Sequence, residues 1–129
     1  MSDNEISGLL LAAARRDLLA LGNMCDSQAF PGEIFGFHAQ QSVEKALKAW
    51  LAWLGKECPR THNIRHLLLL LEETGIPVDS LWGFVELTAF AVQFRYEAYE
   101  VLDEPLDRSK LLAEIHDLVA QVSAVLANP

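Results

Sequence analysis

The chain has 129 residues, 51% hydrophobic and 22% charged, with 10 Lys+Arg against 18 Asp+Glu and a formal charge of -8. This length suits a single domain over residues 1–129, and the apolar fraction excludes a disordered or linker-like chain. A pI near 4.8 argues against coating of duplex nucleic acid, which needs a broad basic footprint.

Helical periodicity dominates. Ser2 and Glu5 have capping-box spacing, so the first helix is expected to start at Ser2, with Ile6, Leu9, Leu10, Ala13, Leu18 and Leu21 on its apolar face. Asp26 to Gly32 reads as a connection. A second helix is expected from about Glu33 to Leu54, because Phe35, Ala39, Val43, Ala46, Leu47, Trp50, Leu51 and Leu54 recur at steps of three and four. Gly55 suits its C-terminal cap.

The loop Lys56-Glu57-Cys58-Pro59-Arg60-Thr61 follows, and a third helix is expected near Thr61 to Asn63. Its run Leu67 to Leu71 covers every side of a helix, which predicts burial on several faces. After Gly75-Ile76-Pro77, Asp79 or Ser80 caps a fourth helix carrying Leu81, Phe84, Val85, Leu87, Thr88, Ala91 and Val92 toward Arg95 and Tyr99. The last helix is expected around Pro105, with Leu111, Leu112, Ile115, Leu118, Val119, Val122, Val125 and Leu126 as its stripe. The fold class is therefore all-α: an up-and-down antiparallel bundle of four to five helices. A bundle of this size leaves an apolar face that a homodimer would cover.

Cys25 and Cys58 form no metal-knuckle spacing and are expected to be reduced thiols. The acidic start lacks the basic region of a secretory signal, and the purest apolar run, Leu67 to Leu71, is far shorter than the roughly 18 residues of a membrane span, so a cytoplasmic protein with no membrane partner is expected.

Charge is partitioned. Lys45, Lys48, Lys56, Arg60 and Arg65 face only Glu57 between Lys45 and Leu71, whereas eleven acids lie between Glu72 and Asp117. The basic stretch either contacts phosphate or docks on an acidic neighbour, and Glu44 and Lys48 have the spacing of an ion pair. His62 and His66 share a helix face, but Arg65 lies between them and no third ligand is evident, so no metal is expected. His38 and His116 have no evident partner. Arg95 and Tyr99 are also one turn apart. That arginine either forks a phosphate, with the tyrosine orienting it, or bridges Glu86, Glu97 or Glu100.

The stretch Phe37-His38-Ala39-Gln40-Gln41-Ser42-Val43-Glu44-Lys45-Ala46-Leu47-Lys48 is similar to the aromatic-x-x-Gln-Gln-x-x-Glu-Lys-x-x-Lys helix of the HEPN domain family. Gly55, Pro59-Arg60-Thr61-His62-Asn63-Ile64, the leucine-rich segment and Phe94-Arg95-Tyr96 follow in the family's order, and the resemblance runs from Leu9 to Leu126. It implies a dimerising helical bundle in a prokaryotic setting beside a minimal nucleotidyltransferase, as in toxin–antitoxin pairs. Many family members are metal-independent endoribonucleases that pair an Arg with a His a short spacer later. In this chain Arg95 is followed by Tyr96, Glu97, Ala98, Tyr99, Glu100, Val101 and Leu102, without a His.

The leading expectation is therefore a HEPN protein that binds a nucleotidyltransferase partner, with nucleotide or single-stranded RNA as further ligands. The alternatives are a metal-independent endoribonuclease toxin with a degenerate motif and a noncatalytic dimeric structural module. Lys45, Lys48, His62, Arg95 and Tyr96 are the candidate nucleotide- or phosphate-binding residues. Arg95 and Tyr99 are the candidate catalytic residues, with Tyr99 or His62 standing in for the usual His, and no cofactor is expected.

Overall fold

A computed structural model of the chain describes residues 2–91 and 106–128, and the described residues are all-helical. In chain order they form α1 (Asp3–Gly22), α2 (Gly32–Trp53), α3 (Ile64–Glu73), a 3₁₀ helix (Asp79–Ala91) and α4 (Arg108–Ala127). The elements build a helical bundle, as the periodicity predicts.

Helix α2 is the axis of the bundle, packing against α1, α3, the 3₁₀ helix and α4. Phe35, Ala39, Val43, Ala46, Leu47, Ala49 and Leu51 are fully buried around it. Few helices bury nearly every face, and those that do need apolar or small residues all round. Alanines and glycines supply that here. The Ser42 hydroxyl donates to the Ala14 carbonyl at 2.9 Å, a buried bond that brings α1 and α2 close. At the end of α2, Gly55 takes φ +76°, its N–H donates to Ala52 O and the Lys56 N–H donates to Leu51 O. That pair of bonds closes the helix end and turns the chain back.

The capping box at Ser2 and Glu5 is present, but α1 turns a different stripe inward. Ser7, Leu11, Ala14 and Leu21 are buried, Leu10 and Leu18 are half-buried, and Leu9 is 58% exposed. Small side chains at Ser7 and Ala14 fit the tight approach to α2, so the larger leucine turns outward. The leucine run of α3 is likewise sorted onto one face. Leu67, Leu68 and Leu71 are buried with Ile64, while Leu69 is 39% exposed. α4 begins at Arg108 and not at Pro105. Its cap is Asp107, whose carboxylate accepts the Lys110 N–H at 3.2 Å. Pro105 lies outside the described residues.

The fourth helix departs most from expectation, because its described part is 3₁₀ and not α. Its buried residues are Leu81, Phe84, Leu87 and Phe90, following a buried Val78. All are three apart. A 3₁₀ helix has three residues per turn, so these side chains stack on one face. An α-helix advances about 100° per residue and would place Leu81 and Phe90 on opposite sides. Strict three-residue spacing of large apolar groups thus rewards the tighter helix with burial of all of them.

Phe90 is fully buried against α2 at Gly36, where an added Cβ would sit 2.5 Å from the ring. At Gly8, on the exposed side of α1, an added Cβ meets nothing within 4 Å. Gly36→Ala is expected to lower stability by about 1–3 kcal/mol through overpacking, whereas Gly8→Ala should raise it by about 0.5–1 kcal/mol through helix propensity. Urea denaturation of the two variants beside the parent checks both signs.

Candidate functional site

Three polar residues of α2, Gln40, Glu44 and Lys48, follow one another at steps of four and so share a face of the helix. The loop after Gly55 returns over this face and brings His62 to it. Glu44 is buried, and its carboxylate is fully engaged. Oε1 accepts from Gln40 Nε2 at 2.8 Å and meets His62 Nδ1 at 2.8 Å, while Oε2 accepts from Lys48 Nζ at 3.0 Å. An ionised carboxylate only accepts, so His62 carries its proton on Nδ1. Gln40 is fully buried and satisfied, donating also to the His62 carbonyl at 3.2 Å and accepting from Gln41 Nε2 at 2.7 Å.

Burial alone would push the Glu44 carboxyl up. The hydrogen bonds from Gln40, His62 and Lys48, with the Lys48 charge, outweigh it and hold the group below its ordinary value. Glu44 is therefore a fixed anion, saturated with donors. The His62 ring is 68% exposed and keeps Nε2 free of this network. A carboxylate behind Nδ1 fixes the tautomer and the ring orientation and leaves Nε2 turned to solvent.

Lys45 belongs to a second cluster. Its Nζ donates to Asp17 Oδ2 at 2.7 Å, and Asp17 Oδ1 meets His38 Nδ1 at 3.0 Å. His38, without a partner in the sequence, thus has one in α1. Lys45 and Lys48 both spend their charge on carboxylates, so the central basic stretch divides. Lys45 ties α2 to α1 and Lys48 is held within α2, while Lys56, Arg60 and Arg65 are exposed and form no ion pair among the described residues. Cys58 donates to the Lys48 carbonyl at 3.4 Å, and burial pushes its thiol up, which keeps it protonated. Arg95, Tyr96 and Tyr99 lie outside the described residues.

The family model of the HEPN domain matches residues 8–126. The chain belongs to the HEPN domain family. No curated protein and no solved structure matched it.

In this HEPN chain, polar residues of the helix motif and of the turn that follows it are in physical contact. Gln40, Gln41, Glu44 and Lys48 of the helix motif and His62 of the Pro-x-Thr-His turn form one hydrogen-bonded network, and Lys45 alone faces away from it to Asp17. Sequence reasoning missed Asp17 and the burial of Glu44. The second had a signal: a carboxylate one turn from both an amide and an ammonium, on a helix otherwise apolar on every side.

Glu44→Ala is expected to cost about 3–5 kcal/mol, because it leaves buried donors without an acceptor. The stabilisation from Glu44 is fully present above its unfolded value of 4.5 and is lost as pH falls through the lower folded value. Urea midpoints measured from neutral pH into the acid range should fall less steeply in Glu44→Gln than in the parent.

Proposed function

We propose that this HEPN chain is the protein-binding component of a prokaryotic HEPN and minimal nucleotidyltransferase pair. It acts in the cytoplasm as a homodimer that recruits the nucleotidyltransferase, with nucleotide or single-stranded RNA as its further ligand.

The observation that carries the reading is an apolar groove of about 610 Å³ between α1 and α4, walled by Leu18, Leu19, Leu112 and Ala113. Leu19 is 74% exposed. A large apolar side chain on a continuous apolar groove favours a protein partner. Arg15 stands on the α1 wall and Asp117 on the α4 wall, so a second copy related by a two-fold axis would set opposite charges against each other. The absence of a His from residues 96–102 and the presence of Glu97 and Glu100 favour partner binding over a self-sufficient ribonuclease. Among the described residues, no helix is long and apolar enough to cross a membrane.

Native mass spectrometry of the chain, alone and coexpressed with the nucleotidyltransferase encoded beside it, tests the assembly. A dimer alone and a complex containing both proteins are expected. A monomer that retains neither partner nor nucleotide would sink the reading. Leu19→Glu should abolish the dimer and leave a folded, helical monomer by circular dichroism, since the side chain is in solvent in the single chain.

A further inference from the structure

The loop from α2 to α3 and the first turn of α3 carry Lys56, Arg60, His62, Arg65 and His66, all exposed, with Glu57 as the one acid among them. The backbone that presents them is fixed at several points. The Gly55 turn starts the loop, and Gln40 holds the His62 carbonyl. Thr61 Oγ1 accepts the Asn63 N–H at 3.0 Å, and Thr88 Oγ1 of the 3₁₀ helix accepts the Ile64 N–H at 3.2 Å. The start of α3 has no acid in its first turn, and the Asn63 side chain makes no capping bond, so nothing there offsets the positive charge.

His62 is held differently from the other cations. Its Nδ1–H is committed to Glu44, which leaves Nε2 as the nitrogen for an outside ligand. The ring stands in a stretch that also presents Lys56, Arg60 and Arg65, which form no ion pair among the described residues. Three exposed cations in one short segment raise the local positive potential, which a multivalent anion complements.

We propose that this loop is a phosphate-binding site, in which the Nε2–H of His62 donates to a phosphate oxygen and the Arg60 and Arg65 guanidinium groups supply forked donors to the same group. Charge-assisted bonds of this kind are the strong ones, and arginine's planar fork matches phosphate geometry. Glu44 is the positioning residue. It fixes the imidazole tautomer and compensates the imidazolium without touching the ligand. Lys45 and Lys48 take no part, because Asp17 and Glu44 already hold them. The site rests on the reading of this HEPN chain as one that takes a nucleotide or RNA beside its protein partner.

The alternative role for His62 is only to pin the loop on α2, and the two roles separate by mutation. An Asn side-chain amide can replace Nδ1–H as the donor to Glu44 but offers nothing in place of Nε2. The histidine ring signals of the intact chain are followed by NMR during titration with inorganic phosphate, AMP and a short single-stranded RNA. The His62 signal should shift saturably with AMP, with RNA or with both, while His116 on α4 stays unmoved. A response to AMP identifies a mononucleotide ligand, and a response to RNA alone identifies the polymer backbone, both in support of the site. The double variant Arg60→Gln, Arg65→Gln should weaken binding about tenfold by the His62 signal, and His62→Asn likewise by the neighbouring His66 signal, both with an unchanged urea midpoint. The arginines are on the surface, so their replacement tests the site even where His62→Asn disturbs the loop. The proposal is overturned if no probe moves the His62 signal, or if the arginine variant binds like the parent. A chain that recruits its protein partner and yet shows no phosphate response sinks this site alone.

Discussion

One buried carboxylate organises the functional half of the molecule. Glu44 sits on a helix packed on nearly every side, and an unpaired anion there would be intolerable. Three donors make it tolerable: an amide from the same helix, an ammonium one turn later and an imidazole from the returning loop. Only the last is distant in the chain, so the loop conformation and the ionisation of Glu44 depend on each other. The Gln40 amide strengthens the dependence by bonding both Glu44 and the His62 carbonyl. Loop and helix are thus locked by ring and backbone at one residue, which is why a loop rich in unpaired cations holds one shape.

The rest of the bundle serves the helix that carries this carboxylate. α1 lies close because Ser42 reaches the Ala14 carbonyl and Lys45 and His38 share Asp17. α4 is anchored at its start by Arg108, which donates to the Met24 carbonyl at 2.7 Å and stacks over Phe35 at 5.1 Å. The 3₁₀ helix seats Phe90 in the space left by Gly36 and lends the Thr88 hydroxyl to the start of α3. Polar links between α1 and α2 and between the loop and α2 fix the register that apolar contacts alone leave free. Two of the surfaces left open among the described residues are an apolar groove on the α1 and α4 side and a cationic loop at the start of α3. They differ in chemistry and arise from different elements, so a protein partner and a phosphate ligand need not compete for one patch.

Much of this was legible in the chain. The capping box at Ser2, the glycine end of α2 and the stripes of α2 and α4 follow from local rules, and the structure has them where those rules put them. The Glu44–Lys48 pair was also readable, since its spacing is set by a single helix. Illegible were contacts between distant segments. Nothing near His38 announces Asp17, and nothing near Thr88 announces Ile64. The inward stripe of α1 was misread because large leucines outweigh Ser7 and Ala14 in a periodicity count, although the small residues are what a close helix crossing selects. The three-residue spacing from Val78 to Phe90 is present in the sequence, but the expected stripe of Leu81, Phe84, Val85, Leu87, Thr88, Ala91 and Val92 leaves out both of its ends. For the site, the motif named Gln40, Lys48 and His62, and it grouped Lys45 with them although that side chain turns to α1.

The sequence by itself determined a helical bundle, because caps, turns and periodicity act over a few residues and need no neighbours, and its motifs carry the resemblance to the HEPN family. Tertiary structure decided which cations are spent and which are free. Whether a lysine holds the bundle or faces solvent depends on the carboxylate that packing brings within about 3 Å, where an ionic hydrogen bond forms. Lys45 meets such a group in Asp17, whereas Lys56, Arg60 and Arg65 meet none among the described residues.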